Sequence, residues 1–338
     1  MWKGCLVDSK YVLRQDEIDA LIANYREIGL EMSAGDCKTE DDIIRTCQGL
    51  DVLSCSGNPP ITKRVLSSLP DVKVVQRFGI GVNSVDLEAA AEMGVLVLNL
   101  PGISAQEVSL HATALILDLL RNISYYDRGV RMGEWRKGLG VPCPTMEDLV
   151  LGLHGFGITS RLVYKIFHDG FGLKNIIAHD PYVKKEDIPE FDIELVPFDE
   201  LLYRSDVIST HVHLNRETEH VFDWAAFKKM KASSLIINVS RGGIICEPDL
   251  VRALQEGEIR GAGLDVFEEE PLPADSPLTK MENVVLSCHS AFLGKTSKKN
   301  TFDTVVWQME QIIAHDSIPG RYVANTGVVP KVHRINIE

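Results

Sequence analysis

Apolar positions along this chain fall into short runs and helical stripes that alternate almost from end to end. Lys3–Val7, Val52–Cys55, Val72–Gln76 and Val95–Leu98 are short runs rich in β-branched residues and of strand length. Stretches with apolar residues at helical spacing lie between them, as in Gln15–Leu30. A long apolar helix is expected over Ala105–Leu120, then strands at Leu149–Leu153 and Ile176–Ala178. Such alternation predicts βαβ units around parallel sheets, hence an α/β fold.

Two breaks divide the pattern. Leu100-Pro101-Gly102 ends the first block, and the second stops near Cys288–Gly294, before a helical stretch over Thr301–Ala314. The expected organisation is a substrate domain of residues 1–102 and 293–338, with a doubly wound domain of residues 103–292 inserted in it. Pro319, Gly320, Gly327 and Pro330 make the tail Ile318–Glu338 read as coil, and Lys137–Pro144 reads as a Gly- and Pro-rich loop.

Composition narrows the class. A length of 338 residues suits two domains, and 45% apolar with 25% charged residues is ordinary for globular proteins, against disorder or a coiled coil. The net charge of −13 offers no basic footprint for nucleic acid or an anionic membrane surface. Seven cysteines without a C-x-x-C pair read as reduced thiols. The first residues do not form a signal peptide, and no run approaches the length of a membrane span, so a soluble cytoplasmic protein is expected.

The first chemical signal is a strand that runs into a glycine turn and then a helix. Gly155, Phe156, Gly157, Ile158 and Thr159 form that turn, and a second strand ends at Asp180, 25 residues after Gly155. This is the dinucleotide fingerprint in its required context. Gly155 permits the tight turn, Gly157 lets the backbone approach a pyrophosphate at the helix N-terminus, and Asp180 can accept from a ribose hydroxyl. A carboxylate there repels a 2′-phosphate and favours NAD over NADP. Ser160 stands where the third glycine is usual.

Further on, Ile236–Gly243 places Arg241 just past an apolar strand, Gly261–Pro271 places acids past another, and Val284–Ala291 does so for His289. Ligands bind at the C-terminal ends of strands in open α/β sheets, so an Arg, a Glu and a His can converge there.

These motifs resemble the D-isomer-specific 2-hydroxyacid dehydrogenases over nearly the whole chain. The likeness extends to Arg77-Phe78-Gly79-Ile80-Gly81-Val82-Asn83-Ser84-Val85-Asp86, to Asn99–Gly102 with Glu107–Ala112, and to Arg131–Trp135. It implies two Rossmann-like domains with the active site in the cleft. Arg241 is then the substrate arginine, Glu270 the carboxylate that orients the histidine, and His289 the acid/base. Ile80 and Gly81 would offer backbone N–H groups to the substrate carboxylate. Val108, Thr210, His211, Val212, His213, Val239, Ser240, Arg241, Asp265 and His289 would line the NAD. A homodimer is implied, built on Ala105–Leu120 and the arm that contains Trp135, with Arg136 and Lys137 beside it. The quoted helix is apolar on more than one face, at Ala112, Ala114, Leu115, Ile116 and Leu119.

Several positions depart from the family. His213 and Cys288 replace prolines, and His154 replaces an apolar strand residue. His211 and His213 flank Val212, but no third ligand at sensible spacing accompanies them, so no metal is expected. Glu268 and Glu269 read as a solvated turn, and His111, His168, His220, His315 and His333 as structural or exposed. The expected activity is NAD-dependent interconversion of a small 2-oxo acid and its D-2-hydroxy acid. The alternative is an NAD-sensing scaffold similar to the family's co-repressors. The loop Cys55–Pro60 carries no Lys or Arg, and Arg64 stands further on, so a phosphorylated substrate is not expected unless a basic residue from elsewhere, such as Arg136 or Lys137 of the dimer arm, supplies the charge.

Overall fold

The computed structural model describes the chain apart from Asn58, residues 136–143, Thr326 and His333, and the side chain of Tyr11. The loop expected at Lys137–Pro144 thus lies, up to Cys143, outside the described residues, as do Arg136 and His333. The chain divides into two compact units, Met1–Ile103 with Gly294–Glu338, and Ser104–Leu293.

The first unit holds strands β1 (Trp2–Leu6), β2 (Leu30–Ala34), β3 (Val52–Cys55), β4 (Val74–Arg77) and β5 (Leu96–Leu98). They form one parallel sheet in the order β2-β1-β3-β4-β5. Cores cover both of its faces. Val75 and Val97 pack with Val65 and Ala90 on one side, and Val74 and Leu96 with Val305 and Met309 on the other. This explains why its strands read as unbroken apolar runs.

The second unit holds β6 (Leu151–His154), β7 (Ile176–His179), β8 (Glu194–Leu195), β9 (Val207–Thr210), β10 (Leu235–Asn238), β11 (Gly261–Leu264) and β12 (Val284–Leu286). Its parallel order is β12-β11-β10-β9-β6-β7-β8, the doubly wound order with one extra strand. The chain reverses its winding between β6 and β9, and the glycine turn leaves β6 at that switch point. The helix Ala105–Arg121 buries Ala112, Leu115, Ile116 and Leu119 on this sheet. The apolar excess expected to serve a dimer is therefore largely spent inside the unit. What stays exposed is Ala114 and Leu110, then Ile123, Val130, Met132 and Trp135.

Three elements differ from the pattern-based expectation. The helix expected to reach Leu30 spans Gln15–Glu27, because Gly29 turns the chain at φ +81° into β2. The helix expected from Thr301 begins at Lys295 and runs to His315. The tail is not all coil: β13 (Ser317–Ile318) and β14 (Asn336–Ile337) pair in parallel.

Candidate active site

The cofactor turn is tied down from its own flanks. Gly155 sits at φ +85°, and a Cβ there would lie 2.8 Å from Val212 Cγ1. Its N–H donates to the His179 carbonyl at 2.8 Å, joining the turn to the end of β7. Phe156 is fully buried against Tyr164 and Phe191. Gly157 caps the helix Ile158–Lys165, and a Cβ on it would meet nothing within 4 Å. Open space before a helix whose first N–H groups have no internal acceptor suits a pyrophosphate. Asp180 Oδ2 accepts from the Phe156 N–H at 2.8 Å and Oδ1 from the Tyr182 N–H at 2.9 Å. Each oxygen retains a lone pair for a ribose hydroxyl. Ser160 is fully buried, so a small side chain fills the third-glycine position without reaching solvent.

Of the histidines in this half His154 is packed in the core, whereas His213 is exposed. His154 Nδ1 meets Thr210 Oγ1 at 3.0 Å, and its ring lies against Phe198, Phe222 and His179. Burial, with His179 and His211 beside it, pushes the imidazole down to about 3, so it is neutral. His211 is pushed down to about 4 by burial, with Nε2 at 2.9 Å from Ser209 Oγ. His213 is lowered by partial desolvation and by the Arg241 charge. Among the described residues no group of three His, Cys, Asp or Glu could hold a metal ion.

The ends of β10, β11 and β12 bring the proposed acid/base machinery together. Asn238 accepts from the Ser240 N–H at 3.0 Å and donates from Nδ2 to the Arg241 carbonyl at 2.9 Å, which fixes the bend after β10. Ser240 Oγ donates to the Thr210 carbonyl at 2.9 Å and ties β10 to β9. Gly242 lies so close to the Phe267 carbonyl and the Glu268 nitrogen that no Cβ fits. That close approach sets Arg241 beside the turn carrying Glu270. Glu270 Oε1 accepts from the Phe267 N–H at 3.0 Å, and Oε2 lies 2.6 Å from His289 Nδ1. Burial works against the Glu270 charge, but the bonds from His289 and Phe267, with Arg241 nearby, outweigh it and hold the carboxyl below its usual value. His289 sits at φ +51°, half-exposed, with its N–H donating to the Asp265 carbonyl at 2.7 Å.

The first unit presents a run of unpaired backbone N–H groups. The Leu100 N–H donates to the Gly79 carbonyl, Asn99 Nδ2 to that of Ile80 and Arg77 Nε to that of Gly81. With these carbonyls tied back, the N–H groups of Gly79, Ile80 and Gly81 have no acceptor among the described residues. Unpaired N–H groups in succession are open to an acceptor from a ligand.

Sequence reasoning missed two residues. Arg77 is buried at the end of β4 and donates to Ser56 O at 2.5 Å and to Cys55 Sγ at 3.3 Å, so a basic residue does reach the loop that has none of its own. Asp8 faces it and accepts from the Ser56 and Gly57 N–H groups. Arg64 is held on the surface by Glu40 and Asp41. His111, expected to be structural or exposed, reaches Ser287 Oγ at 2.8 Å. Glu268, expected to be merely solvated, pairs with His220 at 2.6 Å. No described helix is long and apolar enough to cross a membrane.

The model of the D-isomer specific 2-hydroxyacid dehydrogenase NAD-binding domain matches residues 113–291. A D-3-phosphoglycerate dehydrogenase of Archaeoglobus fulgidus is 31% identical over 320 residues, 93% of this chain and 58% of that protein. The chain thus spans little more than half the length of that relative. A glyoxylate reductase of Korarchaeum cryptofilum is 33% identical over 275 residues, 80% of this chain and 81% of the relative. The solved structure of an NAD-dependent formate dehydrogenase from Staphylococcus aureus in complex with NAD superposes with a TM-score of 0.81 at 26% identity. It covers 93% of this chain and 96% of its own. Nothing in these likenesses favours the scaffold reading. The chain belongs to the D-isomer specific 2-hydroxyacid dehydrogenase family and carries its NAD-binding domain.

Proposed function

We propose that this protein is an NAD-dependent reductase that converts small, unphosphorylated 2-oxo acids into D-2-hydroxy acids. The observation that carries the reading is the Glu270–His289 contact of 2.6 Å at the strand ends that also present Arg241. An ionised Glu270 accepts from His289 Nδ1, which leaves Nε2 to hold a proton for the substrate carbonyl oxygen. Glu270 thereby fixes the ring's tautomer and direction. Arg241 supplies a permanent charge and a planar donor fork, suited to a carboxylate and to the oxygen on which charge develops. NADH held with its pyrophosphate at Gly155–Thr159 and its adenosine ribose at Asp180 would supply the hydride for the carbonyl carbon.

The free N–H groups of Gly79, Ile80 and Gly81 are assigned to the substrate carboxylate. Arg77 and Asp8 bear on the charge a substrate can carry at the Cys55–Pro60 loop. The Arg77 fork is committed to the Ser56 and Gly81 carbonyls, and the Asp8 carboxylate lies against the same loop. A phosphate placed there would meet a cation already paired and an anion beside it, which disfavours burial of its oxygens. A homodimer through Leu110, Ile123, Val130, Met132 and Trp135 fits these exposed apolar side chains. Light scattering tests it, and a monomer at micromolar concentration contradicts it.

NADH oxidation by the purified chain should be followed with glyoxylate, hydroxypyruvate, pyruvate and 3-phosphohydroxypyruvate. The reading expects higher kcat/KM for the unphosphorylated acids. A clear preference for the phosphorylated one refutes the substrate assignment.

A further inference from the structure

Behind the His289 loop lies a polar chain that the acid/base assignment does not use. Asp265, fully buried after β11, accepts from Ser287 Oγ at 2.6 Å and from the Ser290 N–H at 2.9 Å on Oδ1. Its Oδ2 accepts from the Ala291 N–H at 2.9 Å. Its own carbonyl takes the His289 N–H, and the Leu264 carbonyl takes that of Ser287. The residues flanking His289 on both sides are therefore hung from one carboxylate, while His289 itself occupies the left-handed region at φ +51°. Such a conformation persists only where the surroundings over-determine it.

Ser287 has a single proton. It is given to Asp265, so the Ser287 oxygen accepts from His111 Nε2 at 2.8 Å. The same Nε2 lies 3.4 Å from Asp265 Oδ1. His111 is rooted in the helix Ala105–Arg121, whose other side is bedded in the core of the sheet. A donor on a rigid element thus anchors the hydroxyl that anchors the carboxylate.

We propose that His111 is a positioning residue: through Ser287 it fixes Asp265, and Asp265 holds the main chain around His289 in the conformation that aims the imidazole. The proposal rests on the reductase reading for its kinetic consequence but not for its structural one. Loss of the Nε2 donor lets Ser287 rotate, weakens one arm of the Asp265 clamp and loosens residues 287–291. Proton delivery suffers, whereas binding of the acid through other groups does not.

The test compares His111→Phe, which keeps a ring without the donor, with His111→Gln, whose Nε2 can donate. The readouts are kcat, KM for glyoxylate, and hydrogen exchange of the 287–291 amides in protein without NADH. His111→Phe should lower kcat about tenfold, within the loss that a small misplacement brings, with KM nearly unchanged and faster exchange confined to that segment. His111→Gln should restore both. Ser287→Ala, a smaller change should His111→Phe fail to fold, should match its effect. The double variant should be no worse than the poorer single one, since the residues act in series. Wild-type kcat and exchange in His111→Phe, or no rescue by Gln, overturns the proposal. If wild-type protein reduces no 2-oxo acid yet exchange responds as stated, the reductase reading fails and the clamp stands.

Discussion

The close approach at Gly242 gives the sharpest mutational test of how the site is assembled. In Gly242→Ala the added Cβ would overlap the Phe267 carbonyl carbon and oxygen and the Glu268 nitrogen. All three are main-chain atoms, so no side chain can swing aside. Two carbons need about 3.5 Å between centres, and relief requires the bend after β10 and the 267–270 turn to separate by on the order of 1 Å. That turn carries Glu270, whose Oε2 must stay within hydrogen-bond reach of His289. A misplacement of about 1 Å can cost on the order of a hundredfold in rate, equivalent to about 2.7 kcal/mol of transition-state stabilisation. Overpacking should also lower folding stability by about 1–3 kcal/mol. Gly243→Ala is the internal control, because its Cβ would meet only the Leu214 side chain, at 3.2 and 3.5 Å. Steady-state kcat/KM for glyoxylate, measured well below the unfolding temperature, should fall about a hundredfold in Gly242→Ala. In Gly243→Ala it should change by less than about threefold, because overlap with a movable side chain costs little. Wild-type kcat/KM in Gly242→Ala would refute the argument that this backbone contact sets the spacing of Arg241 and Glu270.

Three further outcomes follow from the same geometry. His289→Ala should lower kcat by about 10²–10⁴-fold while NADH affinity, read by nicotinamide fluorescence, stays within a few-fold of wild type. NADH should be preferred over NADPH in kcat/KM, and Asp180→Asn should narrow the gap by removing the charge a 2′-phosphate meets; equal values in wild type would show that Asp180 does not face the ribose. His154 is neutral in the folded protein, lowered to about 3 from 6.5, so the unfolded chain binds the extra proton between those values and stability falls as pH drops below 6.5. Between pH 7 and pH 5 wild type should therefore lose about 2 kcal/mol more than His154→Leu in urea unfolding, and equal slopes would contradict the burial argument.

Much of the fold could be read from the chain because each sheet is covered on both faces. Runs such as Val52–Cys55 and Leu235–Asn238 are fully buried and carry no solvent-facing residues to blur them. What escaped lacks that signature. The first turns of Lys295–His315 are nearly all polar, so periodicity shows only from Thr301 onward. The two-residue strands β13 and β14 are too short for any period to appear. The glycine turn, the Arg241 bend and the Glu270 turn were legible because each needs particular residues at fixed spacing. The direction of a buried side chain has no such trace. Arg77 stood in view within a motif, but only the structure shows its fork closing on the Ser56 and Gly81 carbonyls. His111 and Ser287 are 176 residues apart, and no local pattern links them.

The central claim is hydride delivery to the carbonyl carbon of a 2-oxo acid with protonation by His289. Its most direct test is a reduction of pyruvate with NADH deuterated on the transferable C4 position, followed by chiral separation and mass analysis of the product. The account predicts D-lactate carrying one deuterium at C2, formed by wild type and almost absent with His289→Ala. L-lactate, or product without the label, would contradict it.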